Sequence, residues 1–197
     1  MRHTSEILSL LLFAVSFASA QTDQKTTPAA ASVADQSVNA QEIVEKQFGT
    51  EFQVVGPARF DVDMNGDGIS DAVIVARSKD PLLGVGEFNY KVIDPYNDFF
   101  GYGNPKITLQ FAMKADPAQD NIVLLIIHGA GAEGPQASVP KAKFVLVNVP
   151  FQKVGFKHAT LKKKVVTTIM AEDVDEIEAA VYWDGKKYKW EPLGSSH

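Results

Sequence analysis

Apolar and polar residues alternate along much of this chain, and that period of two constrains its fold more than any other feature. Ile107, Leu109, Phe111 and Met113 fall on one side, against Lys106, Thr108, Gln110 and Lys114 on the other. A strand separates such residues automatically, and a helix mixes them. Phe52 with Val54, and Tyr90 with Val92, repeat the alternation on a shorter scale. Ala72–Ala76 is continuously apolar, as for a strand buried on both faces, and Ile122–Ile127 and Phe144–Val149 are further β-rich runs. Leu161–Met170 is β-rich despite its lysines.

Turn chemistry supports the same reading. Asp184-Gly185 separates Val181-Tyr182-Trp183 from Lys186-Lys187-Tyr188. Asp-Gly suits a two-residue type I′ hairpin turn. That turn pairs Trp183 with Lys186, Val181 with Tyr188 and Ala179 with Trp190, and puts Val181, Trp183, Tyr188 and Trp190 on one face. The chain holds about nine strand-like segments and no internal repeat. A propeller of four-stranded blades needs about sixteen strands or more. The expected fold is mainly β: a single antiparallel β-sandwich or open barrel-like domain over residues 38–194, with one short N-terminal helix at its edge. For that helix Asn39 is the candidate N-cap, with Glu42 three residues on and Gly49 as the stop. Ala40, Ile43, Val44 and Phe48 form its apolar stripe.

The N-terminal segment reads as an export signal over residues 1–20. Arg2 precedes an apolar run, Ile7–Val15, and Ala18-Ser19-Ala20 supplies a small-x-small cleavage pattern. Residues 21–37 are rich in Gln, Thr, Ala and Ser, and read as a disordered linker. The expected location is secreted or periplasmic, with no membrane span after cleavage, because no later segment approaches the roughly 18 apolar residues of a spanning helix. The chain has no cysteine, which excludes disulfides, thiolate zinc sites and cysteine nucleophiles. Its formal net charge of -5 gives no general attraction to phosphate backbones, so no nucleic-acid partner is expected.

The segment that carries chemistry is Asp63-Met64-Asn65-Gly66-Asp67-Gly68-Ile69-Ser70-Asp71. Calcium takes about six to eight oxygen ligands. Asp63, Asn65 and Asp67 present oxygens at positions one, three and five. Gly68 permits the sharp turn, the carbonyl of Ile69 serves position seven, and Asp71 closes the set at position nine. Several carboxylates gathered in one loop require a cation. The spacing is not that of an EF-hand, which needs Glu at about position 12. Ala72 stands there when counting from Asp61, and Ile74 when counting from Asp63. The expected cofactor is therefore Ca2+, held by Asp63, Asn65, Asp67, Ile69 and Asp71, with Asp61 peripheral.

The stretch Asp63–Val75 (DMNGDGISDAVIV) resembles the calcium loops of FG-GAP and VCBS-type repeats. The resemblance covers about residues 60–76. It implies a loop that joins two strands and binds calcium as a brace. Val55-Gly56-Pro57-Ala58 stands where the full repeat has its Phe-Gly and Gly-Ala-Pro elements, and there is one copy where propellers carry several. The loop therefore carries over, and the propeller does not.

Other signals are weaker. His128-Gly129-Ala130-Gly131 follows an apolar run, but no Gly-x-Ser-x-Gly elbow accompanies it, so a surface loop is expected rather than an oxyanion hole. Phe99-Phe100-Gly101-Tyr102 lies in a turn-rich stretch and offers aromatic rings to a glycan or a protein partner, or pins a loop to the core. Lys157, His158 and Lys162–Lys164 form a basic patch. Glu172, Asp173, Asp175, Glu176 and Glu178 form an acidic one that could hold a second, weak cation. No catalytic residue is expected. The functional expectation is an exported module with a structural calcium loop and a binding or structural role. The alternatives are an exported hydrolase centred on His128 and the acidic cluster, and a glycan- or partner-binding module using Phe99–Tyr102.

Overall fold

The computed structural model describes residues 33–56, 59–104, 121–150, 153–161, 164–172 and 178–193. Export signal, most of the linker, the Ile107–Met113 alternation and residues 173–177 of the acidic cluster lie outside them. The protein is mainly β, built from two sheets. The larger is six-stranded. Its strands are β1 (Gln53–Val54), β2 (Phe60–Val62), β3 (Asp71–Arg77), β4 (Lys91–Ile93), β5 (Ile122–His128) and β6 (Ala142–Leu146). The order is β1-β3-β5-β6-β4, with β2 also paired to β3. The smaller sheet runs β10-β9-β8-β7, from β7 (Lys153–Leu161), β8 (Lys164–Glu172), β9 (Glu178–Trp183) and β10 (Tyr188–Pro192).

Three apolar runs became the central strands β3, β5 and β6, and they are buried on both faces. Val73, Leu124, Ile126, Phe144 and Leu146 point toward the small sheet, where they join Ile169, Val181, Tyr188 and Trp190 in one cluster. Ala72, Ile74, Ala76, Leu125, Ile127 and Val145 point the other way, toward helix α1 (Val33–Phe48). Of the predicted stripe, Ala40, Val44 and Phe48 are fully buried and Ile43 is half-buried. The helix thus covers the outer face of the large sheet instead of standing at an edge, and the layers run helix, sheet, sheet. Burying a side chain such as Phe48 is worth about 1.5–3 kcal/mol, which a marginal isolated helix needs.

Four local expectations change. Helix α1 begins at Val33, not at Asn39, because no Gly or Pro lies between Pro28 and Gly49 to stop it. Its first residues overlap the predicted linker. The pair β4–β6 is parallel, so the large sheet is mixed and not purely antiparallel. The β9–β10 register is Trp183↔Tyr188 and Val181↔Trp190, two residues from the expected pairing. The cause is the Asp184 carboxylate, which accepts N–H bonds from Lys186 (2.8 Å) and Lys187 (2.9 Å) and draws both into a longer loop. A shift of two preserves the faces, so the aromatic set still points one way. The last change is a pair of short helices, α2 (Val85–Phe88) and α3 (Pro95–Phe99), the second in the stretch read as turn-rich. Asp94 caps α3 by accepting from Asn97 N–H at 3.0 Å, with proline in the first turn.

One contact fixes how the end of β5 meets the turn between β2 and β3. Gly129 lies so close to that turn that a Cβ would fall on the Ser70 carbonyl oxygen and 2.8 Å from the Gly134 carbonyl carbon. Both obstacles are backbone and cannot rotate away. Gly129→Ala should therefore lower stability by at least about 2 kcal/mol, as overpacking does. At Gly131 a Cβ meets nothing, although φ is +58°, so Gly131→Ala should cost only about 1 kcal/mol. Urea unfolding midpoints measure both; equal losses would show that the close approach is not tight.

Candidate metal centre

Residues 63–70 connect β2 to β3, whose pairing ends at Val62↔Asp71. The connection is held by its own acidic side chains. Asp63 Oδ1 accepts from Gly66 N–H at 2.7 Å and Asp67 N–H at 3.3 Å, and its Oδ2 accepts from Gly68 N–H at 2.8 Å. Asn65 Oδ1 accepts from Asp67 N–H at 3.0 Å. Asp67 Oδ1 accepts from Ile69 N–H at 2.9 Å. Each is a short-range turn that Asp and Asn favour. Gly66 and Gly68 sit at φ +76° and +81°, the left-handed conformation that brings successive N–H groups to face one carboxylate.

Asp71 ends the loop and begins a core strand, and it is wholly buried. Its Oδ2 accepts from Met64 N–H at 2.9 Å and its Oδ1 from Gly129 N–H at 2.8 Å. Asn65 Nδ2 reaches the same Oδ1 at 3.4 Å. The four predicted side-chain ligands therefore belong to one hydrogen-bonded group. Burial pushes the Asp71 carboxyl up to about 6; the Gly129 and Met64 N–H groups oppose this, and the charges of Asp63 and Asp67 reinforce it. Asp61, the peripheral candidate, is held in a two-point ion pair with Arg59, at 2.6 and 2.8 Å. Lys141, from a distant segment, places its ammonium 2.6 Å from Asp67 Oδ2 and holds the Asp67 carboxyl below its ordinary value.

Three loop carboxylates face one lysine, so the group stays electronegative. Every predicted ligand is an oxygen, which is the donor set of a hard cation. Among the described residues, no three Asp, Glu, His or Cys side chains form a metal-holding cluster by themselves. The loop oxygens are turned onto backbone N–H groups, and Asp71 is turned inward. A cation here would draw on second lone pairs of those oxygens, on the Asn65 amide oxygen and on the Ile69 carbonyl. The donor chemistry and the charge fit calcium on those terms.

The other candidates fall elsewhere. His128 is a core residue, not part of a surface loop. It is 4% exposed, its Nε2 lies 2.7 Å from the Tyr188 hydroxyl, and its ring packs on Phe144, Trp183 and Tyr188. Burial lowers its pKa to about 4. Phe99, Phe100 and Tyr102 remain 49%, 51% and 73% exposed, and Trp190 anchors the two phenylalanines at 5.0 and 6.0 Å. His158 is exposed on β7, with Nδ1 3.4 Å from Thr167 Oγ1.

The raised Asp71 pKa gives a pH signature. A carboxyl whose folded pKa exceeds its unfolded value stabilises the fold most below about pH 4, and that contribution is lost as pH rises through about 6. Carbon-detected NMR in the presence of a chelator should show Asp71 titrating near pH 6. Saturating calcium, which favours the ionised form, should move the midpoint downward. A chelator midpoint at the ordinary value of about 3.9 would contradict the enclosed geometry.

Comparison of the chain with protein-family models, with curated proteins and with solved structures found no match.

Proposed function

We propose that this protein is an exported β-domain braced by one calcium ion in the loop Asp63–Asp71, with a structural or binding role outside the cytoplasm. The observation that supports this reading is that Asp63, Asn65, Asp67 and Asp71 share one hydrogen-bonded, net negative loop at the start of a core strand. Asp63 and Asp67 supply most of the attraction. Asp71 ties the loop to β3 and, through Gly129, to the end of β5. The ion's role is to hold the loop closed over a core that exists without it. Export rests on Arg2, the Ile7–Val15 run and Ala18-Ser19-Ala20. Among the described residues, no helix is long and apolar enough to cross a membrane.

Extracellular calcium modules bind at about 10⁻⁴–10⁻³ M. At ten to a hundred times the dissociation constant, binding adds about 1.4–2.7 kcal/mol. For a domain of this size the melting temperature should rise by roughly 3–10 °C. Chelator should reverse the rise, and magnesium should give less because it demands a tighter octahedron. Asp67→Ala should lose most of the shift and remain folded. Wild type and Asp67→Ala melting alike in calcium and in chelator would leave the loop as a turn only.

A second surface supports a binding role. Phe99 and Phe100 expose their rings beside the Trp190 anchor, and Tyr102, two residues on, is exposed as well. Exposed aromatic clusters of this kind take glycans or protein partners. In a glycan and protein binding screen, Tyr102→Ala with Phe100→Ala should abolish any interaction made by the wild type and leave the calcium shift intact. Retained binding would move the partner to another face.

A further inference from the structure

We propose that Lys141 is a tethered cation that occupies the loop in place of a divalent ion and is displaced when one binds, so that it sets the loop's calcium affinity. This deepens the calcium reading and rests on it. The argument starts from the oxygens of Asp67. Oδ1 accepts from Ile69 N–H, so Oδ2 is the oxygen with no backbone donor. Position five of a calcium loop must present such an oxygen to the ion. It is this atom that the Lys141 ammonium holds, at 2.6 Å.

The lysine is fixed at its base and free at its head. Lys141 N–H donates to the His128 carbonyl at 3.0 Å, and the chain enters β6 at the next residue. Its side chain is 44% exposed, and Asp67 is 30% exposed. An exposed pair of this kind is weak, so a divalent ion can displace the ammonium into water at small cost. The neighbouring cations are committed elsewhere, Arg59 to Asp61 and Lys143 to the Gln47 carbonyl at 2.8 Å. One ammonium neutralises one of three carboxylates. The loop therefore folds without metal and keeps enough negative charge to attract it.

Calorimetric titration of the mature full chain with calcium, beside thermal melts, tests this. Lys141→Met should bind calcium roughly three- to tenfold tighter than wild type, since removing a unit charge a few Å from a divalent ion is worth that much at moderate salt. Lys141→Arg, which keeps the charge, should stay near the wild-type affinity. In chelator Lys141→Met should melt below wild type, and in saturating calcium the gap should vanish, because the Lys141–Asp67 pair is then broken in wild type and absent from the variant. Wild type that binds calcium, together with Lys141→Met of equal or weaker affinity, overturns the displacement and leaves the calcium loop standing. If none of the three proteins binds calcium, the calcium reading falls and takes this one with it.

Discussion

The buried carboxylate of Asp71 is the interaction on which the local architecture depends. Its two oxygens take one N–H from the loop before it and one from the far end of β5. Two segments distant in sequence meet on a single side chain. An ionised carboxylate without partners would be excluded from such a place; two backbone donors make it tolerable, and the upward pKa shows that they do not fully compensate. That residual cost is the physical reason to look for a cation, and Lys141 supplies one positive charge only at the loop's outer rim.

The core around this point is aromatic as well as aliphatic. His128, Phe144, Trp183 and Tyr188 contact one another at ring separations of 5.0 to 5.8 Å, joining β5 and β6 to β9 and β10. The imidazole belongs to this packing, and its Nε2 satisfies the otherwise enclosed Tyr188 hydroxyl. A polar pair inside an aromatic layer fixes the facing of the two sheets where apolar contacts alone would slide.

What could be read from the residues was local. Period-two patterning and uninterrupted apolar runs marked β3, β5 and β6, and Asp63–Asp71 was visible as a loop because its side chains bond within a few residues. The strand β7 escaped because its apolar alternation stops after Val154 and Phe156, where Lys157 and His158 follow. The hairpin register was misjudged because the Asp184 side chain competes with the backbone for Lys186 and Lys187. The short helix α3 was missed although Asp94-Pro95 is a cap followed by a first-turn proline. Gly129 and Lys141 were beyond reach for a different reason: each meets the loop across more than fifty residues of chain, at |i−j| of 58 and 74. Nothing local to a glycine or a lysine announces a partner at that distance. The parallel β4–β6 pair is unreadable on the same ground.

The close approach of Gly129 to Ser70 also bears on how this protein can change over generations. Two loops that touch backbone to backbone leave no side chain to absorb a difference in length. An inserted residue in either would have to be matched by an adjustment in the other, or the Asp71–Gly129 bond would be lost. The acidic turn and the glycine-rich segment after β5 therefore fit only as a pair, and a graft of the acidic turn alone into another β-hairpin would arrive without the surface that closes it.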